Sequence, residues 1–475
     1  MLNGLVWLHR WTGLVFCLFF VLWFASGMIM LFVPFPSLPA EERHRHGETV
    51  ELSQVMVAPS IALAAYPEAV ALTLRARNER PVYVVETGSG APKIVDATTG
   101  ELLPPLDAEA GKRIAERFSG AQATRVDAAV LFDQWIVHEG FATARPYHRV
   151  SLGDAARSVI YVSAVTGEVR QRTTRTQRIL GSIGAVPHWL YWTAIRKHWS
   201  AWDSLVWWLS LAALASASMG MVLGVFRFLQ SRAKGGSGWR VFVSWWRWHH
   251  VLGLTAGLFL LGWILSGWLS MDHGRIFSRG AVNSATAERM RGLSLATVAS
   301  TVAVDALARL GTATTVQFHG VAGRGFMLVG RQEGTSELIT VGQPPRPSLP
   351  DEWLLQGLRS AFPQAMQIES AESSPTDLYA RAEELPPGTR LFLVMTPDLH
   401  RVYVDNLTGR ILVDQDASRR AYAWIYYALH TYKVPALAEH NTLRLALMLL
   451  LLAAGFSLSV TGTVIAWRRL RATLS

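Results

Sequence analysis

Four stretches of this chain run for about 21–23 residues without a single Asp, Glu, Lys or Arg: 11–33, 204–226, 251–271 and 445–467. Backbone polar groups in hydrocarbon must be satisfied internally, so runs of this kind cross a bilayer as helices, and about 20 residues span the roughly 30 Å core. The pattern predicts a multi-pass α-helical membrane protein. Composition agrees, since half of the 475 residues are hydrophobic and 17% are charged. The first run is too long for a signal peptide and no small-x-small cleavage site follows it, so it reads as a retained anchor.

Charge placement sets the expected orientation. The linker 227–247 holds Arg227, Arg232, Lys234, Arg240 and Arg247 with no acid, and the tail holds Arg468, Arg469 and Arg471 with none. The long segments between spans mix both signs. The positive-inside rule then puts both termini and the linker in the cytoplasm, and the long segments in the periplasm of a bacterial inner-membrane protein. The expected organisation is span 1 in 1–33, a periplasmic domain with its juxtamembrane segment in 34–203, and span 2 in 204–226. The basic linker and the start of span 3 take 227–250, and span 3 takes 251–271. A second periplasmic domain takes 272–444, span 4 takes 445–467 and the cytoplasmic tail 468–475. The net charge of +10 is accounted for by this topology and by scattered arginines, and needs no nucleic-acid partner.

The one cysteine, Cys17, lies within a span, which excludes external disulfides and cysteine-ligated zinc or iron–sulfur centres. No Gly-x-Gly-x-x-Gly or Walker loop is present, so a built-in nicotinamide, flavin or ATP site is not expected. The spans carry no charge in their cores, which argues against an ion-coupled transporter.

The chain repeats itself. Shifted by 240 residues, His9 falls on His249, Gly13 on Gly253, Trp23 on Trp263, Ser26 on Ser266 and Gly27 on Gly267. Shifted by 242, Tyr161 falls on Tyr403, Arg178 on Arg420, His188 on His430, His198 on His440 and Gly220 on Gly462. This reads as a tandem duplication in which each half is span, outer domain, span, with the two halves oriented alike. Equivalent residues then lie at equal depth. The outer domains read as α+β. Helices are expected near 55–65, 108–118, 295–310 and 352–362, and strands near 81–86, 93–96, 160–163, 326–330, 390–395 and 401–405.

The motifs "LHRWTGL…SGM", "VDATTGE", "VYVDNLTG", "VPHWLYW", "ALHTYK" and "TGTVIAWRRL", in this order across nearly the whole chain, resemble the PepSY-associated transmembrane proteins, also called iron-regulated membrane proteins. Some members are inner-membrane ferrisiderophore reductases with two b-type haems. The resemblance implies four transmembrane helices, two PepSY-like periplasmic α+β domains, haem b and a ferric siderophore or other ferric chelate as acceptor. The electron donor would be a quinol or a flavoprotein. The family also implies an alternative, a membrane sensor or protease-regulating protein without redox chemistry.

Paired histidines at equal depth suit bis-imidazole ligation of haem iron. His9 and His249 form one candidate pair. Gly13 and Gly253, one turn on along the same face, leave room for a flat ring. The competing reading is that Gly253-x-x-x-Gly257 is a helix-packing face and the histidines are interfacial polar groups. The outer candidates are His188 and His430, which the resemblance favours, with His198 and His440 as the alternative pair. Reporter fusions test the depth argument: Gly236 and a fusion after Ser475 should report cytoplasm, and Gly120 and Gly334 periplasm. A periplasmic signal at Gly236 would overturn it.

Overall fold

The computed structural model describes residues 2–474 except 89, 373–376, 384 and 438. Three helices are long and apolar enough to cross a membrane: α1 (Leu2–Met30), α2 (Trp199–Ala233) and α5 (Asn441–Leu474). A fourth span exists if α3 (Ser244–Thr255) and α4 (Gly257–Ser270) count together. α1 packs along α5 and α2, and the α3–α4 pair packs along the same two helices from the other side. Large apolar side chains face outward along the bundle, among them Leu18, Trp208, Leu258 and Leu450, each more than 60% exposed. That apolar exterior is what a lipid-facing surface requires.

The span expected at 251–271 is not straight. It bends by 67° at Ala256. The Thr255 hydroxyl donates back to the Val251 carbonyl at 2.9 Å, a bond that competes with the helical ladder. Gly257 lets α2 come close, because a Cβ there would lie 2.4 Å from Met221 Cε.

Among the described residues, the extramembrane segments form three antiparallel sheets of four or more strands and a two-stranded one that pairs Val50–Glu51 with Thr312–Ala313, and none closes into a barrel. In the first half lie β1 (Ala69–Arg77), β2 (Arg80–Thr87), β3 (Lys93–Asp96), β4 (Ala123–Val130), β5 (Tyr147–Leu152), β6 (Val159–Ser163) and β7 (Val169–Thr173). In the second lie β8 (Thr315–Val321), β9 (Arg324–Gly330), β10 (Ser336–Ile339), β11 (Gln367–Ala371), β12 (Arg390–Met395), β13 (Leu399–Val404) and β14 (Ile411–Gln415). β4 to β7 make one four-stranded meander and β11 to β14 another. The third sheet has the order β10-β9-β8-β1-β2-β3, so its two middle strands come from different halves. Val316 pairs with Leu74 across that joint. The two outer segments therefore share one sheet, and each also has a meander of its own.

The alternation of apolar and polar residues in β1 sends Leu72 and Leu74 into a core completed by Val316, Phe318 and Val329 and covered by Leu295, Val298 and Leu307. The helix expected over 55–65 is confined to Pro59–Leu63, where proline starts the turn. The one expected over 295–310 is two short pieces, Leu295–Ser300 and Val304–Ala308. The helices Ala108–Ser119 and Asp351–Ala361 match the expected positions and cover the two meanders. Gly100 and Gly409, which end the Thr-Gly pairs of VDATTGE and VYVDNLTG, and Gly167, which follows Thr166, all take positive φ at turns between strands or beside them. Leu74 and Val316 are fully buried, so Leu74→Ala and Val316→Ala should each cost about 2–5 kcal/mol. As cross-strand neighbours they should couple, and chemical unfolding of the double variant should show a loss smaller than the sum.

Candidate functional site

The sequence places four histidines at matched positions, and the fold gives each the same local chemistry. His9 sits on α1 and turns toward α2. Its Nδ1 lies 3.1 Å from the Ser216 carbonyl, and Thr12 Oγ1 is 2.9 Å from Ser216 Oγ alongside. A carbonyl can only accept, so Nδ1 carries the proton. His249 sits on α3 and turns toward α5. Its Nδ1 lies 3.0 Å from Thr461 Oγ1, whose own proton goes to Leu458 O at 2.6 Å, so here too Nδ1 donates.

The outer pair repeats the device on the other face of the helices. His188 Nδ1 is 3.2 Å from the Trp23 carbonyl and 3.2 Å from Ser26 Oγ on α1. His430 Nδ1 is 3.2 Å from Ser266 Oγ on α4, and that serine spends its proton on Trp263 O at 3.0 Å. The Trp263 indole donates to the His430 carbonyl at 2.8 Å. Among the described residues, no hydrogen bond reaches Nε2 of any of the four. Each therefore presents a lone pair with no protein partner, which is the state of an imidazole that binds a metal through Nε2. Burial lowers the pKa of His188 and His430 to about 4, so both are neutral at pH 7. The His430 ring also lowers the pKa of His188, after burial.

Glycines make the fit possible. A Cβ on Gly27 would lie 3.3 Å from His188 Cε1, and one on Gly267 3.2 Å from His430 Cε1. A Cβ on Gly220 would lie 2.7 Å from His9 Cε1, and one on Gly462 3.5 Å from His249 Cε1. At Gly13 a Cβ would meet nothing within 4 Å, and at Gly253 only Leu458 Cδ1 at 3.9 Å, so both positions are open.

The outer histidines ride on short, irregular pieces. His188 ends a single turn, Ala185–His188, entered at Gly184, where a Cβ would press on Ile29 at 2.9 Å. His430 ends a π-helical segment, Trp424–His430, with its ring stacked on Tyr426 at 5.7 Å. Two residues past each histidine the backbone turns left-handed, with φ 52° at Leu190 and 53° at Tyr432. Neither is glycine, and such outliers persist where surrounding structure imposes them. His198 and His440 are exposed and stand immediately before α2 and α5. His250, which has no counterpart in the first half, is buried with its Nε2 3.1 Å from the Gly238 carbonyl.

Three features had no sequence signal. Ser216 and Thr461 are not equivalents in the repeat, and main-chain acceptors carry no residue signature. His273 and Arg275 both bind Asp203, tying the chain after α4 to the start of α2. Among the described residues, no group of three or more His, Cys, Asp and Glu side chains is placed to hold a metal ion.

A bundle of apolar helices under antiparallel sheets, with histidines tied to the spans by Nδ1, defines a multi-pass membrane protein. The chain belongs to the PepSY-associated TM region family, whose model matches residues 6–469. A search of curated proteins finds no match.

The glycine contacts give a direct test. Gly220→Ala forces the His9 ring or helix α2 to move and should cost about 1–3 kcal/mol by overpacking. Gly462→Ala makes only an ordinary contact and should be neutral or stabilising by up to about 1 kcal/mol through helix propensity. Thermal unfolding of the two variants in one detergent should rank them in that order.

Proposed function

We propose that this chain is an inner-membrane, b-type di-haem electron-transfer protein that reduces a ferric siderophore or similar ferric chelate in the periplasm. Four spans from a tandem duplication, with both termini cytoplasmic, would carry it, α3 and α4 together forming the third. His9 and His249 would hold one haem near the cytoplasmic face, and His188 and His430 the other near the periplasmic face. The observation that carries this reading is the shared state of the four imidazoles, each with Nδ1–H donated to the protein and Nε2 unpartnered. The open flank at Gly13 and Gly253 is consistent with a planar group beside the inner pair.

When bound, haem supplies one-electron chemistry at its iron. The chain's part is to hold neutral imidazoles in one orientation. Charge-free spans keep ions out of the bundle, and Ser26, Ser266 and Thr461 steady the ligating rings from behind. Reduction of ferric to ferrous iron releases it from hard oxygen donors, which hold the smaller and more highly charged ion better. The basic residues of the linker and tail fit a cytoplasmic face.

Substitution at each pair tests the assignment. His249→Ala and His9→Ala should each remove about one haem per chain, and the double variant should lose no more than either single one. Additive loss would mean that they serve different haems. His188→Ala or His430→Ala should remove the other haem and abolish ferric reduction, while His198→Ala and His440→Ala should keep both haems. Loss of a haem in His198→Ala with two retained in His188→Ala would move the outer site to the second pair.

A further inference from the structure

Alongside the inner histidine pair, α3 and the middle of α5 flank an open groove of about 480 Å³. Its walls include Trp245, Trp248 and Leu252 on α3 and Phe456, Ser457 and Thr461 on α5. The volume falls within the roughly 300–1,000 Å³ of small-molecule sites. Thr461 is common to the groove and to the histidine site, because its hydroxyl also receives the His249 Nδ1 proton at 3.0 Å. An occupant of the groove is thus one side chain away from the inner pair.

The lining specifies the occupant's chemistry. It contains no charged residue, which disfavours nucleotides, flavin phosphates and ionic reductants. Flat indole and phenyl faces suit a planar ring. Neighbouring hydroxyls on α5 are satisfied within the helix: Ser459 donates to Gly455 O at 2.7 Å and Thr463 to Ser459 O at 3.0 Å. Ser457 breaks that pattern. It is exposed, and among the described residues its hydroxyl has no partner, nor do the indole N–H groups of Trp245 and Trp248. Unmatched donors facing hydrocarbon are costly. An acyl chain offers them nothing, whereas a ring bearing oxygens can accept from them.

We propose that this groove binds a quinone-type lipid, the electron donor in its quinol form. The assignment as donor rests on the di-haem reading above. The balance closes: one quinol gives two electrons and two protons, reducing two ferric chelates to ferrous and leaving one quinone and two protons. Ser457 would donate to one ring oxygen, and Thr461, whose proton is spent on Leu458 O, would accept from a quinol hydroxyl. On the proposed orientation, the groove lies in the cytoplasmic half of the bundle, the side to which the two protons would be released.

The test is equilibrium binding of decylubiquinone, by calorimetry, to the full chain in phosphatidylethanolamine nanodiscs. Wild type should bind saturably at one site. Ser457→Phe and Val460→Trp, which fill the groove from its lipid side, should each weaken binding about tenfold or more. Leu450→Phe, exposed elsewhere on α5, should not, and Ser457→Ala, which adds no bulk, should weaken binding by a smaller factor. Saturation that none of the groove variants alters, or no saturable binding above the lipid background, would overturn the proposal. The haem content of the same preparations separates the two claims. A haem-free chain that still binds decylubiquinone in the groove would defeat the redox reading and keep the site. A di-haem chain whose affinity ignores both fillings would defeat the site and keep the redox reading.

Discussion

A single hydrogen bond, from an imidazole Nδ1 to a main-chain carbonyl or to a hydroxyl that has already spent its proton, organises the membrane region. It recurs at His9, His188, His249 and His430. Each bond fixes a tautomer, and each ties one segment to another. His9 joins α1 to α2, and His249 joins α3 to α5. His188 and His430 fold the juxtamembrane pieces back onto α1 and α4. A neutral imidazole is a costly guest in an apolar bundle unless it is partnered. Half the cost is met by the Nδ1 bond. The other half, at Nε2, is what the proposed cofactor would meet.

The glycines follow from the same constraint. A ring pressed closely on a helix needs a position without Cβ beneath it, and Gly27, Gly220 and Gly267 supply it, where a Cβ would lie 2.7 to 3.3 Å from the ring, while the fit at Gly462 is looser at 3.5 Å. The left-handed turns at Leu190 and Tyr432 follow as well, because the chain must reverse immediately after delivering each outer ring. Above the bundle, the sheet shared by β1 and β8 locks the two halves together, so the depths of the two histidine pairs are set by one connected frame.

Much of this was legible in the sequence. Charge-free runs marked the spans, and the 240- and 242-residue shifts picked out the four histidines, Ser26 with Ser266, and Gly27 with Gly267. What stayed hidden is physical in origin. The joint between β1 and β8 depends on which edges meet in space, and an alternating pattern such as 69–77 says only that a strand has an inner face. The bend at Ala256 comes from a side-chain bond to the backbone and a close approach by Met221, neither of which interrupts the hydrophobic run. The acceptors for His9 and His249 are not equivalent in the repeat, being the Ser216 main-chain carbonyl in one case and the Thr461 hydroxyl in the other. The π-helical segment before His430 likewise has no pattern that sets it apart from an ordinary amphipathic helix.

The most direct test of the bis-histidine account is the reduced-minus-oxidised visible spectrum of the purified chain, with haem counted per polypeptide and the low-temperature EPR of the oxidised protein. The account predicts two b-type haems per chain, both low-spin with two imidazole ligands. A folded, colourless protein purified from haem-replete cells, or high-spin haem at both sites, would contradict it.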